Sequence, residues 1–102
     1  MSIECRHERG RLTVFFKGDI DEFACRTLRT ELDAEMEREK PREVVFDLKD
    51  VSFVDSTGLG LILGRYKKLS ASGGVLRLKD VPSQVDRVFR MSGVYTVVEK
   101  VK

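Results

Sequence analysis

Val51-Ser52-Phe53-Val54-Asp55-Ser56-Thr57-Gly58-Leu59-Gly60 is the stretch on which the reading of this chain turns. Before it, Glu43-Val44-Val45-Phe46-Asp47-Leu48 reads as a strand covered on at least one face. After it, over residues 57–69, apolar positions recur at helical spacing. Leu59, Ile62 or Leu63, Tyr66 and Leu69 share one face, and Arg65, Lys67 and Lys68 form a solvated face near the C-terminal end, where cations suit the dipole. The stretch is therefore a strand-to-helix junction that carries hydroxyls, a carboxylate and glycines. Asp55, Ser56 or Thr57 caps the helix. A serine exposed beside the free amides of a helix N-terminus is also placed to carry a phosphate.

Working outward, residues 3–8 and 11–17 read as a hairpin around Arg9-Gly10, with Leu12, Val14 and Phe16 alternating against polar neighbours. Gly18-Asp19-Ile20-Asp21 leads into a helix over 22–40 whose stripe is Ala24, Leu28, Leu32 and Met36, and Pro41 ends it. Downstream, Ser72-Gly73-Gly74 stops the second helix and residues 75–78 form a strand. Pro82-Ser83 opens a short helix with Val85, Val88 and Phe89 inward, and Gly93 closes it before a last strand over 94–98. The order ββαβαβαβ predicts an α/β fold with a mixed, mostly parallel β-sheet and helices packed on it.

At 102 residues the chain makes one domain, 1–102, able to bury roughly two thirds of its unfolded surface without disulfides or metals. A net charge of +2 is too small to argue for nucleic acid or a membrane surface as partner. Cys5 and Cys25 lack a Cys-x-x-Cys pattern and have only His7 to join them, so they read as buried free thiols, and no metal or cofactor is expected. The start has no apolar signal core, and no run approaches the ~20 residues that span a bilayer, which leaves the cytoplasm by elimination.

Gly58, Gly60 and Gly64 each cost about 1 kcal/mol relative to alanine inside a helix, so each needs a reason. Gly60 and Gly64 share a face, which favours close packing on the sheet over a smooth surface for another protein, while Gly58 keeps bulk away from the Ser56 hydroxyl. No base in the chain is placed to activate Ser56, since His7 lies on the edge hairpin as a plain surface residue, and no Gly-x-x-x-x-Gly-Lys-Ser/Thr loop is present. Ser56 is better read as a substrate than as a catalyst, and no catalytic residue is assigned. Asp19 and Asp21 share the Asp-x-Asp spacing of metal-dependent phosphohydrolases without the further motifs such enzymes need, and Asp21 equally suits the first helix cap. If the strand ends align, Asp19, Asp21, Asp55 and Ser56 meet on one acidic rim that a partner arginine engages and a phosphate at Ser56 disrupts.

Over nearly its whole length the chain resembles the STAS-domain anti-sigma factor antagonists. The matching segments are Gly18-Asp19-Ile20-Asp21, the whole of the opening stretch, Leu63-Gly64-Arg65-Tyr66-Lys67 and Met91-Ser92-Gly93. The resemblance implies that Ser56, not Thr57, is phosphorylated by an anti-sigma factor that is also a serine kinase. The unphosphorylated form binds this kinase and releases its sigma factor, and a serine phosphatase restores it. Asp21 matches a position that contacts an arginine of the kinase, whereas Asp19 stands where the sporulation branch carries glutamate. The rest of the partner surface falls on Asp55, Thr57, Gly58, Leu59 and Gly60. The Gly-Arg-Tyr-Lys and Met-Ser-Gly matches point to the sporulation branch. A general stress-response antagonist, a STAS subunit of a membrane transporter and a phosphohydrolase using Asp19 and Asp21 are the competing readings.

Overall fold

The alternation of Leu12, Val14 and Phe16 with Arg11, Thr13 and Phe15 builds a strand with one apolar face, and Val44 and Phe46, then Leu76 and Leu78, continue that face in register across the next two strands. The computed structural model describes all residues, 1–102. Its elements are β1 (Ser2–Glu8), β2 (Arg11–Lys17), α1 (Glu22–Glu39), β3 (Glu43–Asp50), α2 (Ser56–Ala71), β4 (Val75–Lys79), α3 (Ser83–Ser92) and β5 (Glu99–Val101), with a 3-10 turn at Val94–Thr96. The sheet runs β1-β2-β3-β4-β5, antiparallel in the first pair and parallel thereafter. Parallel neighbours in chain order, joined by crossovers of one hand, place every connecting helix on the same face. Accordingly Leu12, Val14, Phe16, Val44, Phe46, Leu48, Leu76 and Leu78 are buried beneath the helices with Leu28, Leu32, Leu61, Ile62 and Phe89. The opposite face is tied by a charged row, Arg11 to Glu43 at 2.9 Å, Arg77 to Glu43 at 2.6 Å and Arg77 to Glu99 at 2.8 Å.

The expected element order is the observed one, and most boundaries agree within two residues. The last strand does not start where the alternation suggests. Gly93, at φ +79°, ends α3 in the left-handed conformation, and the chain then closes a 3-10 turn through Thr96 N–H to the Gly93 carbonyl at 3.0 Å. Val94 and Val98 are buried while Thr96 between them is exposed, which one face of a strand would not give, and pairing with β4 begins only at Glu99. The inward face of α2 is also rotated from the expected one. Gly58, Leu61, Ile62, Arg65 and Leu69 are buried, while Leu59, Leu63 and Tyr66 are half-buried.

Arg65 is thus not on a solvated face: it is 5% exposed and its Nε lies 3.1 Å from Asp33 Oδ1 on α1, with Lys68 Nζ on the other Asp33 oxygen at 2.8 Å. A guanidinium enters a helix-helix contact only with a carboxylate there to meet it. Of the two thiols, Cys25 is buried as expected and Cys5 is exposed on the edge strand, facing Glu31, Glu35 and Arg38 of α1. His7 sits on the same strand, with Nε2 2.9 Å from Glu35 and Nδ1 3.5 Å from Glu39.

The C-terminal segment is fastened by Asp86, which receives the Tyr95 hydroxyl at 2.6 Å, Lys100 Nζ at 3.1 Å and Arg90 Nε at 2.8 Å. The Tyr95 hydrogen bond above all, then Lys100 and Arg90, holds the Asp86 carboxyl below the usual carboxylate range. A folded value below the unfolded one contributes stability above pH ~4, and this is lost as pH falls through the folded value. Asp86→Asn is therefore expected to lower stability at neutral pH and to flatten its decline below about pH 4, measured by urea unfolding across pH. An unchanged slope of stability against pH in this variant contradicts the assignment.

Candidate functional site

Three helices begin where parallel strands end, so their N-termini gather at the carboxyl edge of the sheet, the edge at which open α/β sheets place their sites. Two of the connecting loops continue the pairing beyond β2 and β3. Gly18 N–H reaches the Asp50 carbonyl at 3.1 Å, Ile20 N–H the Phe53 carbonyl at 2.9 Å, and Asp55 N–H the Ile20 carbonyl at 3.3 Å. Ile20 and Val54 form a parallel bridge and are both buried, so an apolar peg locks each loop to the other. This pairing brings Asp21 at the start of α1 beside Asp55 at the start of α2.

Asp21 caps α1, its Oδ1 accepting Ala24 N–H at 2.9 Å. Of the three candidate caps for α2, the structure selects Asp55, whose Oδ1 accepts Gly58 N–H at 2.8 Å. Ser56 is the first helical residue and is exposed, with Thr57 half-buried beside it. Asp19 is exposed and precedes the peg. Beneath the two caps, burial first and then the Asp55 and Asp21 carboxylates push the Cys25 thiol up, against the opposing pull of Arg29 and Arg65. Of the four residues expected on one rim, the structure brings Asp21 and Asp55 together with Ser56 adjoining, and no contact ties Asp19 to them.

The glycines exchange roles. A methyl on Gly58 would overlap the Ile20 carbonyl oxygen and stand 2.9 Å from Val54 Cγ1, so this glycine lets α2 press onto the peg rather than clearing space around Ser56. Gly60 and Gly64 have nothing near the same position and do not pack on the sheet. They continue Ser56 at four-residue spacing along the free face of α2, with half-buried Leu59 and Leu63 beside them. Two exposed aromatic rings border the edge, Phe23 in the first turn of α1 at 77% and Phe53 in the β3–α2 loop at 51%. Neither was singled out from sequence. The available signals were a phenylalanine off the Ala24–Leu28–Leu32–Met36 stripe and another inside a connecting loop. No group of three His, Cys, Asp or Glu side chains is arranged to hold a metal. A cavity of about 480 Å³ lies at the other end of the molecule, between Lys40, Pro41 and Arg42 after α1 and Ser72 and Gly73 after α2. No helix is long and apolar enough to cross a membrane.

This geometry coincides with a family assignment. The sequence profile of the STAS domain matches residues 2–102, and the chain belongs to the STAS family. It is similar to the anti-sigma F factor antagonist of Paenibacillus polymyxa, 37% identical over 96% of this chain and 84% of that protein. It is also similar to the anti-sigma-B factor antagonist of Bacillus subtilis strain 168, 28% identical over 97% of this chain and 89% of that one. Among solved structures it matches the anti-sigma factor antagonist SpoIIAA in its unphosphorylated form and the Bacillus cell fate determinant SpoIIAA in its phosphorylated form. The unphosphorylated form superposes with a TM-score of 0.85 at 24% identity, covering 99% of this chain and 89% of that one. The phosphorylated form superposes with a TM-score of 0.76 at 22% identity, covering 99% and 92%.

Proposed function

We propose that this chain is an anti-sigma factor antagonist that binds an anti-sigma factor kinase through the carboxyl edge of its sheet and is switched off by phosphorylation of Ser56. The observation that carries the reading is the exposed Ser56 hydroxyl on the first turn of α2, beside the Asp21–Asp55 rim and at the head of a helix face left bare by Gly60 and Gly64. Bare glycines allow a partner backbone to approach closely. Phe23, Phe53 and Leu59 supply apolar contact around them, and Asp19 and Asp21 offer carboxylates to a partner arginine. A phosphate adds about −1.5 to −2 charges and its bulk at the head of the bare face, where seating a partner requires desolvating it and where it repels any carboxylate the partner brings.

In this reading the chain supplies the acceptor hydroxyl, the kinase supplies ATP and the transfer chemistry, and a serine phosphatase resets the switch in the bacterial cytoplasm. The sporulation branch is favoured over the stress branch by 37% identity to the F-type antagonist of Paenibacillus polymyxa against 28–31% to the B-type antagonists. Calorimetric titration of the unphosphorylated chain into the purified anti-sigma F factor of Paenibacillus polymyxa is expected to give a Kd below about 1 μM and to release bound sigma factor. A Kd above about 100 μM for both the F-type and B-type anti-sigma factors overturns the proposal.

A further inference from the structure

The Asp55 carboxylate serves two helices at once. Its Oδ1 accepts Gly58 N–H at 2.8 Å in the first turn of α2, and its Oδ2 accepts Glu22 N–H at 3.0 Å, the first residue of α1. Each bond satisfies one of the amides that a helix start leaves without an internal partner. Asp21, the cap of α1, takes only Ala24 N–H, so the outermost of these two α1 amides depends on a residue from a different loop. That residue is the immediate neighbour of Ser56. No lysine, arginine or histidine lies within ion-pair distance of Asp55, so these two amides are its only side-chain partners.

We infer that Asp55 is the positioning residue of the switch: its carboxylate clasps the N-terminus of α1 to that of α2, and a negative charge placed on Ser56 loosens the clasp and is felt at the first turn of α1. The second half of this inference rests on Ser56 being the switch residue. A charge on Ser56 draws on the same N-terminal amides as Asp55 and repels its carboxylate. The cap on Gly58 is local to α2 and follows it, whereas the bond to Glu22 spans two loops and is the longer of the two. Its loss frees the turn that carries Phe23, so phosphorylation both places charge on the rim and unsettles an aromatic ring 77% exposed beside it.

Amide hydrogen exchange followed residue by residue by NMR tests this on the isolated chain. Asparagine caps helices well but offers one oxygen, with an amide nitrogen that cannot accept. In Asp55→Asn, exchange at Glu22 is expected to rise about tenfold while Gly58 and Ala24 stay within about twofold of wild type. In Ser56→Asp, Glu22 is expected to accelerate by a similar factor with Ala24 unchanged. A residue that merely capped α2 would leave Glu22 untouched in both variants. Unaltered Glu22 exchange in either variant overturns the inference. No partner protein enters this experiment, so its failure is distinguishable from failure of the proposed function, which is read by binding and phosphorylation.

Discussion

Ser56→Asp is expected to weaken binding to the anti-sigma F factor at least about 100-fold while leaving the fold intact. The magnitude follows from desolvating an added carboxylate against a partner that the bare face admits to close contact, which costs several kcal/mol. Three features of the site set the sign. Ser56 is exposed, so its substituent meets the partner rather than the core. Asp21 and Asp55 already make the rim acidic, and Gly60 next to it leaves no side chain to hold the partner away. The same position makes the variant a fair test, because an acid in the first turn of a helix suits the dipole and global stability should stay within about 1 kcal/mol of wild type. Ser56→Ala removes neither shape nor sign and is expected to bind like wild type. Full-strength binding by well-folded Ser56→Asp contradicts the switch.

Gly58→Ala is expected to lower stability by about 3 kcal/mol, a large share of the 5–15 kcal/mol typical of a domain this size. The added methyl overlaps a backbone carbonyl, that of Ile20, and the Val54 side chain, neither of which can step aside while the Ile20–Val54 bridge is paired. Gly60→Ala, two residues along the same helix, is expected to raise stability by about 0.5–1 kcal/mol, because its methyl meets nothing and alanine is the better helix former. Its effect should fall on binding, where a side chain now stands on the bare face. Chemical denaturation of the two variants side by side is decisive. Equal destabilisation contradicts the distinction between a packing glycine and a surface glycine.

Periodicity carried most of the architecture, because strand and helix faces are written in period two and period three to four and the connections leave little choice of topology. The stripe Ala24, Leu28, Leu32 and Met36 is buried as the spacing implies, and the alternation in β2 marks the face that meets the helices. Where pattern failed, a long-range contact had overridden it. Arg65 reads as a solvated cation until Asp33 on another helix is placed against it. The segment from Val94 to Val98 failed for a local reason instead, since Gly93 turns the chain at positive φ and a 3-10 turn takes the place of the strand start. The Gly58 role was invisible for the same reason as that of Arg65, since its neighbours Ile20 and Val54 come from two different loops.

At the site, the acidic rim and the exposed serine were legible because they depend on local turn chemistry and on strand ends that a parallel sheet must align. The choice of Asp55 as cap, and its second bond to Glu22, were not. Three adjacent residues, Asp55, Ser56 and Thr57, all qualify as caps by type, and only the backbone path decides among them. Phe23 and Phe53 escaped notice because both stand next to residues that are buried, Ala24 and Val54, and only the backbone path turns the two rings outward.

The most direct test is to incubate the purified chain with ATP and the anti-sigma F factor of Paenibacillus polymyxa and to locate the phosphate by fragment mass spectrometry. A single phosphate on Ser56, absent from Ser56→Ala, is the expected result. A phosphate on Thr57 or any other residue, or its persistence in Ser56→Ala, would contradict the assignment of Ser56 as the switch.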